Sequence, residues 1–320
     1  MRIVLFGTGE FALPVFEALI ETPEHTVVGV YTQPDRTGRG HHRHVNKVKE
    51  LATEHDVPVF QPQRVNDPEQ LRQLAALQGD IFVVAAYGQI LKPEFLAIPP
   101  FGAFNLHGSI LPRHRGAAPV QYSVWNGDEL AGVTFFRIEP ALDSGPVIGS
   151  VSTPIEPRET SGELMMRLAD LSISLTLESL ARLAAGTAVP ERQNESLVTL
   201  APKIRKDDGI IDWTRSATEI DCHIRAMQPW PRAATWLHVN DRTPIRCLVT
   251  EAEPAGTNSN GSPGAIVQSG QQTLVITGHG DLEVKKIQPE GKKAMNPQSL
   301  LNGYGIKEGA LFGPQDRSLR

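Results

Sequence analysis

A chain of 320 residues is long for one compact core and fits two domains. It is 40% hydrophobic and 21% charged, with no apolar run near the length of a membrane span, so a soluble globular class is expected. A net charge of −5 excludes a simple basic nucleic-acid binder, and two cysteines far apart, Cys222 and Cys247, offer neither a disulfide framework nor a zinc site. Charge is unevenly spread: residues 203–320 hold 15 Lys/Arg against 13 Asp/Glu, and the preceding residues hold 16 against 23. Any phosphate-binding surface is therefore expected in the rear part and in local basic clusters. Met1-Arg2 leads straight into strand-like Ile3-Val4-Leu5-Phe6, without the longer apolar region of a secretory signal, which reads as a cytosolic protein.

In chain order, residues 3–6 predict a buried strand, followed by Gly7-Thr8-Gly9 and a helix over 12–20. Strand, Gly-x-Gly, helix opens a Rossmann-like unit. The acidic residue that would close the second strand and hold a ribose is missing, since residues 26–32 run into Gln33-Pro34-Asp35. Gly7 and Gly9 are therefore read as a tight turn and not as a nicotinamide site. A polar, basic insertion follows over 35–44. Its three histidines lack a carboxylate or cysteine partner at metal-ligand spacing, so it is read as a surface loop or as a basic loop reaching for phosphate. Helices over 47–55 and 68–77 alternate with strands over 57–60 and 80–85, predicting a mostly parallel sheet covered on both faces. The turn Ala86-Tyr87-Gly88-Gln89-Ile90-Leu91 ends the fourth strand.

Residues 104–121 are the stretch around which this half is organised. An apolar strand breaks at Gly108, and periodic structure resumes only after Pro112, Gly116 and Pro119. Asn105 and His107 are two apart, so on an extended strand they point the same way, at the carboxyl edge where open α/β sheets bind ligands. Further strands are expected over 133–138 and 147–153. Between them, the turn Glu139-Pro140-Ala141-Leu142-Asp143-Ser144-Gly145-Pro146 carries one acid among small residues and prolines. Thr160-Ser161-Gly162-Glu163 is a capping-box pattern, and Leu164, Leu168, Leu171, Leu175 and Leu180 give the long helix that follows a core stripe. Residues 189–207 lose periodicity and read as a linker. A short helix over 218–226 and five short strands separated by Gly/Pro/Asn turns predict a small β-barrel of the OB kind.

Asn105, His107 and Asp143 converge in this reading. Transfer of a carbonyl group to an amine passes through an oxyanion that needs positioned donors. The Asn105 amide and a protonated His107 would supply two. Asp143 would either keep the imidazole charged or relay the proton of the attacking amine. With no serine or cysteine nucleophile in a recognisable context, direct transfer is favoured over an acyl-enzyme.

Asn105-Leu106-His107-Gly108-Ser109-Ile110-Leu111-Pro112, then Arg115-Gly116-Ala117-Ala118-Pro119 and Leu142-Asp143-Ser144-Gly145, resemble the formyltransferases that use 10-formyltetrahydrofolate. Gln33-Pro34-Asp35-Arg36, Ile211-Asp212-Trp213, Gln228-Pro229-Trp230-Pro231 and Glu290-Gly291-Lys292-Lys293-Ala294-Met295 are similar to those members of the family that act on methionyl-tRNA. The resemblance implies a Rossmann-like α/β catalytic domain (1–188), a linker (189–207), an OB-like tRNA-binding domain (208–312) and a tail (313–320). It makes Asn105, His107 and Asp143 the catalytic trio. It implies a folate site lined by Ser109, Ile110, Leu111, Pro112, Ala86, Tyr87, Gly88, Gln89, Ile90 and Leu91. It implies tRNA contacts from Arg36, Arg39, Arg43, Lys203, Lys206, Lys292 and Lys293. The implied partner is initiator methionyl-tRNA, the co-substrate is 10-formyltetrahydrofolate, no metal is required, and the protein is a monomer. The basic loop departs from the commonest family form, about one residue shorter and with histidines where lysines are usual.

Overall fold

The computed structural model describes residues 1–35, 45–239, 243–305 and 309–315. The chain divides into two compact units. The first comprises Met1–Pro119, Leu130–Pro154 and Leu164–Pro202, and the second Val120–Glu129, Ile155–Glu163 and Lys203–Arg320.

In the first unit, β1 (Arg2–Gly7), α1 (Leu13–Glu21), β2 (Thr26–Tyr31), α2 (Lys47–Glu54), β3 (Val59–Phe60), α3 (Pro68–Ala76), β4 (Ile81–Ala85), α4 (Pro93–Leu96) and β5 (Ala103–His107) keep the predicted alternation. Strands β1 and β4 are apolar along almost their whole length because both faces are covered. After the two-residue β6 (Arg115–Gly116), α5 (Pro119–Trp125) belongs almost wholly to the second unit, and the first resumes with β7 (Leu130–Arg137), β8 (Val147–Pro154) and, from Leu164 onward, α6 (Ser161–Ala184). The sheet order is β3-β2-β1-β4-β5-β7-β8. Pairing is parallel from β3 to β5 and antiparallel from β5 to β8. Strand order reverses between β1 and β4, so the crevice beyond their carboxyl ends is the switch point of the sheet. Rings of Phe6, Tyr31, Phe60, Phe82, Tyr87 and Phe95 stack and cross beneath it. The expected capping box at the start of α6 is formed, with Thr160 N–H donating to Glu163 Oε2 and Glu163 N–H to Thr160 Oγ1.

In the second unit, α7 (Ala217–Ala226) is followed by β10 (Ala233–His238), β11 (Ile245–Pro254), β12 (Ile266–Ser269), β13 (Gln272–Ile276), β14 (Asp281–Pro289), α8 (Pro297–Gly303) and β15 (Leu311–Gly313). The number β9 belongs to Leu200–Ala201, which pairs with β6 in the first unit. Six antiparallel strands run in the order β12-β13-β14-β11-β10-β15. A bridge between Ala265 and Leu311 joins the two ends, and the sheet closes on itself. Trp213 anchors the core: it stacks on Phe312 at 5.7 Å and donates to Thr235 Oγ1 at 2.9 Å. The short elements α8 and β15 were not expected from sequence, because seven and three residues carry too little periodicity to be seen.

The segment expected as a linker is hydrogen-bonded into the first unit over most of its length. Val147 and Glu191 exchange backbone bonds of 2.8 Å, Arg115 N–H donates to Thr199 O at 2.9 Å, and β9 runs parallel to β6. The first unit accordingly extends to Pro202. These residues lack periodicity because they pair one or two at a time with loops, and such pairing leaves no regular apolar pattern.

Candidate functional site

Asn105 and His107 share one face of β5, as strand geometry requires. Cross-strand pairing sets Asn105 beside Val84 and opposite Phe136, and His107 opposite Thr134. The Asn105 side chain makes no hydrogen bond with the described residues and is partly accessible, so its amide is free to donate. His107 is 4% exposed. Its Nε2 lies 2.9 Å from His114 O, and since a carbonyl only accepts, Nε2 carries the hydrogen. Nδ1 then holds the lone pair, 3.7 Å from Asp143 Oδ2. Burial pushes the His107 imidazole below its ordinary value, and the nearby His114 ring adds to this. The Asp143 carboxylate and the bond to His114 O act the other way but do not prevail. The desolvation of a ring sunk in the strand thus outweighs its acidic neighbour and favours the neutral form, where the sequence reading takes the ring as protonated.

Asp143 occupies the left-handed region at φ 45°. Its Oδ2 accepts from Gly116 N–H at 2.8 Å. Its main-chain oxygen and that of Gly145 each accept from Gln193 Nε2 at 2.8 Å. The Gln193 Oε1 accepts from Arg115 Nη2 at 2.8 Å, and the buried Arg115 also grips Glu195 with two bonds of 2.7 and 3.0 Å. His114, at φ 60°, is held by its N–H to Thr199 Oγ1 at 2.8 Å. Gln193, Glu195 and Thr199 escaped the sequence reading because no local spacing links them to residues 50 to 85 positions earlier.

The expected folate residues sort into two groups. Ser109 is buried, with Oγ donating to Arg113 O at 2.6 Å, and the Leu111-Pro112 bond is cis. Thr134 braces this turn: its Oγ1 donates to Ser109 O at 2.7 Å and accepts from Leu111 N–H at 3.1 Å. Ile110 and Pro112 are partly accessible. In the other turn, the Tyr87 ring packs on Phe6, Leu91 joins the same core, and the Gln89 amide is spent on Val65 N–H and Pro62 O. Ala86, Gly88 and Ile90 are exposed at the edge, Ile90 by 85%. The first three side chains shape this turn from within, and the last three residues stay accessible at the edge.

Of the residues expected to meet RNA, Arg36, Arg39 and Arg43 lie outside the described residues. Lys203, Lys206, Lys292 and Lys293 are all exposed, and Lys292 Nζ sits 4.8 Å above the Tyr304 ring. The second unit also has a cleft of about 750 Å³ lined by Trp125, Asp207, Asp208, Asp212 and Glu219 among others. It contains none of the trio, and its acidic rim is unsuited to phosphate. Both cysteines are buried and free, with burial pushing the Cys247 thiol up to about 12 and raising Cys222 as well, so neither is a thiolate nucleophile at neutral pH. Among the described residues no helix is long and apolar enough to cross a membrane.

An open α/β sheet that brings an accessible amide, a buried imidazole and a carboxylate to its carboxyl edge offers the donors and the base that transfer of a carbonyl group to an amine requires. The sequence pattern of the family "Formyl transferase" matches residues 1–180, and that of "Formyl transferase, C-terminal domain" matches residues 203–305. The chain belongs to the formyl transferase family, a formyl-folate-dependent class. Solved structures share the fold. One is HypX from Aquifex aeolicus in complex with tetrahydrofolic acid, 16% identical, TM-score 0.59, aligned over 97% of this chain and 48% of HypX. Another is an N-formyltransferase from Helicobacter canadensis in complex with folinic acid and dTDP-3-aminofucose, 16% identical, TM-score 0.66, over 90% and 99% of the two chains. A third is glycinamide ribonucleotide transformylase 1 from Symbiobacterium toebii, 19% identical, TM-score 0.52, over 61% and 94%. The chain spans about half the length of HypX.

Proposed function

We propose that the protein transfers the formyl group of 10-formyltetrahydrofolate to the α-amine of methionine on initiator methionyl-tRNA, for translation initiation in the cytoplasm. The observation that carries the chemistry is the accessible Asn105 amide on the same strand face as His107, whose Nδ1 lies 3.7 Å from Asp143 Oδ2. As the amine attacks the formyl carbon, the Asn105 amide donates to the developing oxyanion. His107 Nδ1 takes up the amine proton, and the imidazolium so formed is paired with the Asp143 carboxylate. Return of that proton to the folate nitrogen completes the exchange: one C–N bond forms, one breaks, and tetrahydrofolate leaves. Ala86, Gly88 and Ile90, with the Ser109–Pro112 turn, would border the folate.

The acceptor is read from the second unit and the basic segments. A small-amine acceptor gives no role to exposed Lys203, Lys206, Lys292 and Lys293 on a closed β-sheet unit. Phosphate contacts from these lysines would make affinity fall with salt, and discrimination between tRNAs would rest on shape and unpaired ends. The test is formyl transfer to charged initiator tRNA with charged elongator methionine tRNA alongside. Transfer to the initiator alone is expected. Transfer only to a small amine, such as an amino-sugar nucleotide, would keep the trio and overturn the acceptor.

A further inference from the structure

We propose that Gln193 is a positioning residue for the transfer step, the keystone of a closed hydrogen-bonded ring that sets the Asp143 carboxylate against His107. The proposal rests on the reading of Asp143 as part of the site.

Asp143 sits at φ 45°, a conformation that L residues adopt only when their surroundings over-determine it. Two neighbouring residues supply the constraint from opposite ends. Gly116 N–H holds the carboxylate, and Arg115 holds the main chain through Gln193. The path runs from Gly116 N to Asp143 Oδ2, through Asp143 to its main-chain oxygen, across the Gln193 amide to the Arg115 guanidinium, and back to Gly116 along the chain. The Arg115 end of that ring is fixed from elsewhere. Arg115 is 6% exposed and forked on Glu195, and its own N–H is bound to Thr199 O. The chemistry calls for glutamine in particular. The position must donate to two carbonyl oxygens, of Asp143 and Gly145, while accepting from a guanidinium. A primary amide does both at once, whereas a carboxylate only accepts and an alkyl chain does neither. Released from the ring, the Asp143 main-chain oxygen has no other bond among the described residues, and the 3.7 Å approach to Nδ1 would be lost. His107 also faces His114, which is tied to Thr199 and does not take part in the ring.

The test compares Gln193→Met and Gln193→Glu with the wild type, alone and combined with Asp143→Asn. Gln193→Glu keeps the partner for Arg115 and so protects the fold. Rates are measured with 10-formyltetrahydrofolate and charged initiator tRNA, and His107 is titrated by NMR without substrate. Each Gln193 variant is expected to lower kcat about 10- to 100-fold, the cost of misplacing a reacting group by near 1 Å, with KM for the formyl donor within about twofold. In the Asp143→Asn background the further loss should vanish. Gln193→Met should also lower the pH at which His107 titrates, as Asp143→Asn does. Wild-type kcat in both Gln193 variants, or an unmoved His107 titration, overturns the positioning role and leaves the trio standing. An equal loss in the Asp143→Asn background places the effect elsewhere and overturns it too. Wild-type kcat in Asp143→Asn itself removes the trio, and the proposal with it.

Discussion

Gly116 is the residue at which fold and proposed chemistry are hardest to separate, and Gly116→Ala tests that link. Its φ is 132°, and a Cβ there would lie 2.4 Å from Ala201 O and 3.0 Å from Ala201 C, both backbone atoms unable to rotate away. Strands β6 and β9 would have to part to relieve the contact, which loosens the Arg115 N–H bond to Thr199 O and the Gly116 N–H bond to Asp143 Oδ2. Backbone strain at such an angle costs about 1–3 kcal/mol. The charge-assisted bond adds about 1.5–3 kcal/mol, so a destabilisation of about 2.5–6 kcal/mol is expected, a large share of typical domain stability. Displacing the Asp143 carboxylate should also cost about 100-fold in kcat/KM for formyl transfer. Gly186→Ala is the control: φ is 68°, nothing lies within 4 Å, and only about 1 kcal/mol of strain with unchanged turnover is expected. Denaturant unfolding and initial rates, measured well below the unfolding midpoint, give both quantities. Equal stability and equal rates in the two variants would refute the coupling of β6–β9 pairing to the site.

Asn105→Ala should cut kcat about 10²- to 10³-fold while leaving the unfolding midpoint within error, since the amide has no partner among the described residues; an unchanged rate would remove the oxyanion donor. His107 is held below its ordinary value, mainly by burial, so the acid limb of the rate profile should lie below pH 6.5 and move further acid in Asp143→Asn, which loses the carboxylate that raises it. His107 and His223 both titrate lower folded than unfolded, so the unfolded chain binds more protons as pH drops. Stability should therefore be full above about pH 6.5 and decline below it; a shallower acid decline of ΔG in the two-histidine Gln variant than in the wild type would confirm the source, the remaining decline coming from His25 and, at lower pH, from depressed carboxylates such as Glu163 and Glu219. Thr134→Val leaves Ser109 O and Leu111 N–H without their shared partner, at about 1–3 kcal/mol, and should raise KM for the folate more than it lowers kcat. Lys292→Ala and Lys293→Ala should each weaken tRNA binding and reduce its salt slope by about 0.7–0.9; an unchanged slope would take these lysines out of the phosphate contacts.

By itself the sequence determined the alternation of apolar strands and amphipathic helices, the change to closely spaced short strands after residue 209, and the pairing of Asn105 with His107 on one strand face. These are local properties: a period of 2 or 3.6, a Gly/Pro break and a capping box are all read within one or two turns of chain. The chemical reading leaned equally on residue type, since an amide, an imidazole and a carboxylate among glycines and prolines suit few tasks. What the sequence could not carry was the environment of each group. Whether His107 rests charged or neutral depends on the balance between its burial and Asp143, and that balance exists only once β5 is packed between β4 and β7. Tyr87, Gln89 and Leu91 stand beside Ala86, Gly88 and Ile90 in sequence, yet packing sends the first three inward to hold the turn. The aperiodic stretch after residue 188 looked like a tether. Tertiary structure turns it into the strap whose Gln193, Glu195 and Thr199 fix Arg115, His114 and Asp143, because single polar contacts across 50 or more residues leave no periodic trace in the chain.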